Sequence, residues 1–325
     1  MERLIVQGMQ QPNFDPGLTQ QYRGVLKRAI NKDGQFNVRR DGATWRDAHP
    51  YLYLISVSWA KFFGLIFLAF IVTNTLFALL YVAIGIEHLK GADASTAALR
   101  FTNAFFFSAH TLTTVGYGNI WPSGPLANTI TAIEALTGLM GFAIATGLFF
   151  GRFSRPSARI GFSPTAVIAP YKGGTSLQFR IVNRRSNNLI EVEARLLLMT
   201  VEDCNGQLQR RFQDLELERT QVLFFPLTWT VVHPIDEKSP LYGVSAKDLE
   251  RLQSEIMINL RAFDESFGQT VHVRYSYRYD EIVWGARFVQ AFEVDADGEL
   301  RLEVSRVGEL EQVAVERADL VPYKN

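Results

Sequence analysis

Six consecutive residues, Thr113-Thr114-Val115-Gly116-Tyr117-Gly118, have the types and spacing to do chemistry with main chain alone. Glycine reaches backbone angles that are costly for a residue with a Cβ, so Gly116 and Gly118 let successive carbonyls face one axis instead of alternating as in a strand. A row of carbonyl oxygens on one axis can replace the hydration shell of a cation, and the Thr114 hydroxyl can add an oxygen at the inner end of the row. In a soluble chain the same residues would read as a Gly-rich turn. The flanking segments decide between the two readings.

The first flank, Phe62 to Ile86, is an uninterrupted run of 25 uncharged residues, about 37 Å long as an α-helix and long enough to cross a bilayer. The second, Leu126 to Phe150, carries one charge, Glu134, on a helix rich in Ala, Leu, Ile and Phe. Between them, residues 99–113 are apolar enough to be buried, with Phe105, Phe106 and Phe107 in a row, contain no glycine or proline, and are too short to span. They read as a half-membrane helix ending at residues 114–118, because irregular backbone at membrane depth is tolerated only inside protein or beside a water-filled cavity. Thr-Val-Gly-Tyr-Gly is also the sequence of potassium-channel filters in general, in which four such loops surround the ion. One chain supplies a quarter of each ring, so a homotetramer is expected, with K+ held by the carbonyls of Thr114, Val115, Gly116 and Tyr117. K+ enters as the permeant ion, and no cofactor is expected.

Residues 21–61 hold Arg23, Lys27, Arg28, Lys32, Arg39, Arg40, Arg46 and Lys61, against only Lys90 and Arg100 in 87–125. Positive charge gathers on the cytoplasmic side, so both termini are expected there, and the first span would serve as the insertion signal because no cleavable signal peptide is evident. Composition averages this pattern away: Lys plus Arg equals Asp plus Glu at 33 each. The single cysteine, Cys204, excludes an internal disulfide framework. His49, His88, His110, His233 and His272 show no metal-ligand spacing. No phosphate loop, nucleophile elbow or zinc-protease helix is present, so no enzyme is indicated.

After Pro156 the pattern changes to short alternating strands between Gly, Asn, Asp and Pro clusters, which fits a β-sandwich. The expected organisation is a loosely ordered cytoplasmic arm over 1–44, where no strong periodicity appears, an interfacial amphipathic helix over 45–58, and a pore domain over 59–156. An immunoglobulin-like domain over 157–305 and a tail over 306–325 complete it. Pro50 either interrupts the interfacial helix or sits in its first turn.

With these residues in place, the chain resembles the inward-rectifier potassium channels, in their prokaryotic branch. Beyond the filter, the resemblance rests on Phe101 to Ser108 before it and on Arg152-Phe153-Ser154-Arg155-Pro156 after the second span. It rests also on His233 to Tyr242 and Asp280 to Phe288, and covers about residues 45–295. It implies a bacterial inner-membrane tetramer whose pore continues through four cytoplasmic immunoglobulin-like domains, gated at the inner mouth by lipid and domain movement. No Arg-rich voltage-sensing span is present.

The resemblance aligns Phe150 with the inner constriction, a gate that closes by dewetting. It aligns Phe142 with the cavity position where strongly rectifying members carry an acid, so weak polyamine block is expected; polyamines and divalent cations are the candidate blockers. Glu134, an intramembrane acid and therefore costly to bury, is read with Phe142 as a cavity residue supporting cavity or filter electrostatics. His110 and Ile120 stand where animal members often pair an acid with a base, so filter rigidity must come from other contacts. Glycines 138, 141, 147 and 151 suit either hinging or close helix packing. Lys61, Arg152, Arg155 and Arg159 flank the cytoplasmic membrane exits and suit phosphoinositide or other anionic headgroups, at about 1 kcal/mol per charge. The competing expectations are a cation channel of relaxed selectivity and a membrane-anchored sensor.

Overall fold

In a computed structural model of the protein, the described residues are 16–18, 21–22, 28–39, 41–42, 49–93, 95–155, 158–185, 187–204 and 207–313. They form two compact units, one of residues 40–155 and one combining 1–39 with 156–325.

The first unit is helical. Helix α1 spans Pro50–Ser56, with Pro50 in the first turn, where its missing N–H leaves no bond unmade. Trp45, Arg46 and Asp47, also assigned to this helix from sequence, lie outside the described residues. Helix α2 spans Trp59–Ile84, capped by the Ser58 side chain accepting from the Lys61 N–H. Helix α3 spans Ala97–Leu112, capped in the same way by Thr96 accepting from Leu99 at 3.2 Å. Helix α4 spans Pro125–Phe153. Both α2 and α4 are long and apolar enough to cross a membrane. Large apolar side chains such as Phe67, Leu76, Leu139, Met140 and Ile144 are exposed along them. Contiguous apolar surface of this kind is stable only against hydrocarbon or another protein surface. Helix α3 packs on α2 through Ala104 and Phe107 against Ala78 and Tyr81, with the Tyr81 ring edge-on to Phe107 at 5.1 Å. The short antiparallel pair Leu89–Lys90 with Trp121–Pro122 ties together the loops on either side of α3 and the filter.

The second unit is a sandwich of two sheets. One orders strands Gln21–Tyr22, Gln207–Leu215, Leu189–Cys204, Glu255–Asp264 and Gln269–Arg278, with Gln221–Phe224 pairing on the third of these. The other orders Thr228–Ile235, Gly174–Asn183, Ala166–Tyr171 and Ile282–Trp284, with Ile160–Phe162 on the second. Inward-facing residues of both sheets, among them Phe179, Ile181, Leu196, Leu198, Val231, Ile256 and Tyr277, form one core. Two sequence expectations change here. Leu310–Gln312 pairs with Ala286–Phe288 in a separate two-stranded sheet, so part of the assigned tail is structured, and Leu310 and Phe288 pack with Val167, Ala169 and Ala286. The arm expected to be loosely ordered docks in part on the sandwich. Ala29 and Ile30 are buried, their N–H groups donate to the Glu255 carboxylate at 2.8 and 3.2 Å, and Ile30 accepts from Ser276 at 2.8 Å. Lys32 pairs with Glu281 at 2.9 Å and sits 4.3 Å from the centre of the Tyr275 ring.

His233 illustrates how the sandwich selects a protonation state. Its ring is buried between the Glu216 carbonyl, 2.5 Å from Nδ1, and the Ser239 hydroxyl, 2.7 Å from Nε2. Burial lowers its pKa from the usual histidine value, with the Glu216 carbonyl opposing that shift. Because the folded-state pKa is depressed, the contribution is present above the ordinary value of about 6.5 and is lost as pH falls through the folded value. Thermal midpoints of detergent-solubilised protein should therefore fall more steeply below about pH 6.5 for the native chain than for His233→Gln. Parallel pH profiles would remove His233 as the cause.

Candidate functional site

At the C-terminal end of α3 the backbone leaves the helix through Thr113 (φ −85°) and then alternates in hand. Thr114, Gly116 and Gly118 have φ of +60°, +56° and +81°, while Val115 and Tyr117 between them are not left-handed. Alternating the sign of φ turns successive peptide planes so that their carbonyls share one side, which a strand cannot do. The N–H groups point the other way. Val115 and Gly116 both donate to the His110 carbonyl, at 2.9 and 3.3 Å, and Thr114 donates to Thr111 at 3.0 Å. Among the described residues, no hydrogen bond engages the carbonyls of 114–117, so these oxygens remain available to an ion. Positive φ at the β-branched Thr114 costs about 1–3 kcal/mol and persists only where its surroundings over-determine it.

His110 supplies contacts that the missing acid–base pair does not. Besides its carbonyl, its ring meets Tyr117 edge-on at 4.8 Å and lies over Phe106 at 6.4 Å.

Glu134 is not a cavity residue. It has no accessible surface even in a single chain, where any cavity-facing side chain would be open. Its carboxyl accepts from Tyr81 Oη at 2.7 Å and hydrogen-bonds Ser108 Oγ on α3; Ser108 also lies 3.0 Å from Asn74 Oδ1, and Tyr81 3.0 Å from Thr131 Oγ1. One intramembrane acid thus joins α2, α3 and α4 behind the filter. The cost of burying it is met by hydrogen bonds. One turn along α4, Gly138 lies against the Leu112 carbonyl so closely that a Cβ there would sit 2.1 Å from the oxygen. Of the four glycines weighed from sequence, Gly138 serves close approach of backbone and Gly151 that of the Tyr51 hydroxyl, 2.7 Å from where a Cβ would sit, while nothing lies within 4 Å at Gly141 or Gly147.

At the other end of α4, Phe142 is 74% exposed and Phe150 73% exposed. The neighbouring Phe149, by contrast, packs on α2, 5.2 Å from Phe62 and 6.2 Å from Trp59. Arg152 departs from its assignment as a lipid ligand. Its guanidinium donates to the carbonyls of Leu54 and Val57 at 2.6 and 2.7 Å and lies 4.4 Å from the centre of the Trp59 ring. These are unpaired carbonyls at the end of α1, so Arg152 braces α4 to the α1–α2 elbow. Lys61, Arg155 and Arg159 are exposed. Arg152→Ala should lower stability by about 2–4 kcal/mol, and Arg152→Lys should restore little, since a lysine cannot fork between two carbonyls. Unfolding of the detergent-solubilised protein measures this; an unchanged midpoint with altered lipid dependence would return Arg152 to the headgroups.

Comparison with known proteins agrees with this geometry. Residues 160–323 match the inward rectifier potassium channel C-terminal domain, and residues 62–155 match the ion channel family. The inward rectifier potassium channel Kirbac3.1 of Paramagnetospirillum magnetotacticum is 41% identical over 289 residues, 88% of this chain and 96% of that one. The chain belongs to the inward-rectifier potassium channel family. More distant relatives include the chicken ATP-sensitive inward rectifier potassium channel 12, 30% identical over 85% of this chain and 70% of its own length. The mouse G protein-activated inward rectifier potassium channel 3 is 30% identical over 87% and 77%. The protein is therefore a membrane-located inward-rectifier potassium channel of the prokaryotic branch and not an enzyme. Its two long apolar helices followed by a β-rich C-terminal domain fit the fold of that family.

Proposed function

We propose that four copies of this inward rectifier surround one axis and conduct K+ passively through the carbonyls of Thr114, Val115, Gly116 and Tyr117. The alternation of φ at residues 114–118 carries this reading, because it frees four consecutive carbonyls that one chain alone cannot use. Phe150 forms the inner gate, closing by dewetting, and movement of the cytoplasmic domain together with anionic lipid at Lys61, Arg155 and Arg159 sets its opening. Phe142 is neutral where an acid would hold polyamines, so intrinsic rectification is weak. The excess of Lys and Arg before α2 supports a bacterial inner-membrane location with both termini in the cytoplasm.

The test is uptake of radioactive Rb+ into K+-loaded liposomes, with Ba2+, Na+, spermine and anionic-lipid content varied in turn. Uptake blocked by Ba2+, resistant to competing Na+, weakly sensitive to micromolar spermine and responsive to lipid charge supports each part of the reading. Uptake that Na+ competes equally would replace it with a cation channel of relaxed selectivity. Steep voltage-dependent spermine block would refute weak rectification, and flux indifferent to lipid composition would refute the lipid site.

A further inference from the structure

We propose that Glu134, acting through Ser108, is a positioning residue of the filter: it fixes the depth of α3 from which the carbonyls of 114–117 discriminate K+ from Na+. This rests on conduction through that filter and goes beyond it by naming what holds it in register.

The geometry is a two-rung ladder. Ser108 and Leu112 stand four residues apart on α3, facing Glu134 and Gly138, also four residues apart on α4. The upper rung is polar, a hydrogen bond between Ser108 Oγ and the carboxyl. The lower rung is steric, the Leu112 carbonyl seated where Gly138 has no side chain. Leu112 is two residues from Thr114, and His110, between the rungs, accepts the Val115 and Gly116 N–H groups. A displacement of α3 against α4 therefore moves the filter's backbone donors directly. From the opposite side, α2 meets the same carboxyl through Tyr81 and meets Ser108 through Asn74, so the helix is held from both neighbours. Gripping α3 by a directional bond fixes its height as well as its distance, which apolar packing alone does not.

Glu134→Leu removes the acceptor at similar bulk, Ser108→Ala removes its partner, and Glu134→Gln keeps an amide able to bond both Tyr81 and Ser108. Each full-length variant is reconstituted, its assembly checked by size exclusion, and Na+ competition against Rb+ uptake measured. Discrimination should fall about 3- to 10-fold in Glu134→Leu and Ser108→Ala, the equivalent of one lost hydrogen bond, while Glu134→Gln stays within about twofold of the native protein. Lower thermal stability with unchanged discrimination in the first two variants would overturn the proposal, leaving Glu134 as scaffold only. Should Glu134→Leu fail to assemble, Ser108→Ala decides alone by the same criterion. A native protein that takes up Na+ as readily as Rb+ would refute the filter reading itself, a result distinguishable from failure of the brace.

Discussion

Gly116→Ala is expected to reduce Rb+ uptake to the liposome background while the protein still assembles. Gly116 has a φ of +56° and an environment with no atom within 4 Å of a Cβ built there, so the effect is not one of crowding within the chain. It arises from the backbone itself, since a left-handed alanine costs about 1–2 kcal/mol relative to glycine. In the proposed tetramer the carbonyl rings would carry that cost once per subunit, roughly 4–8 kcal/mol around one axis. The cheaper outcome is a flipped peptide with a carbonyl turned off the axis. Ba2+-sensitive uptake in the native protein that survives this substitution would show that ions cross by another route.

Gly138→Ala should be nearly as damaging for a different reason. Gly138 has ordinary helical φ, and alanine is the better helix former, so propensity alone predicts stabilisation of up to about 1 kcal/mol. The added methyl, however, would lie 2.1 Å from a backbone oxygen and 2.9 Å from the carbonyl carbon of Leu112. Backbone cannot rotate away as a flexible side chain can, so α3 must move. Overpacking of this kind costs about 1–3 kcal/mol per site, repeated in each subunit of the proposed tetramer. The expected result is reduced or unselective Rb+ uptake together with a lower unfolding midpoint. A stabilised variant with native flux would mean that α3 and α4 separate there at no cost. The same substitution at Gly141 or Gly147, where nothing lies within 4 Å of the added carbon in the single chain, serves as the control for helix propensity.

Much of the site is legible along the chain because its chemistry is local. A filter made of main chain needs only glycine at alternate positions, and Thr114 to Gly118 display that directly. A bilayer likewise imposes long uncharged runs, so α2 and α4 can be read from the order of residue types. The sandwich is legible as alternation, though the two-stranded sheet packed on it is not: Leu310–Gln312 is too short for its period to show, and only its pairing with Ala286–Phe288 makes it a strand.

Residue types within a few positions of one another thus settle the class of ion chemistry, the two spans and the sandwich. Which side chains serve those elements is settled only by folding. Glu134 reads as a cavity acid and Arg152 as a lipid ligand along the chain, because a single charge in an apolar segment has no partner visible there. Their partners are Tyr81 and Ser108 for one, and Leu54 and Val57 for the other, 26 to 98 positions away. The docked arm at Ala29 and Ile30 is illegible for the same reason, its hydrogen bonds running to Glu255 and Ser276 across more than two hundred residues. Periodicity reports which face of an element is buried, whereas a polar contact depends on which other element arrives there, and that is set by the packing of the whole unit.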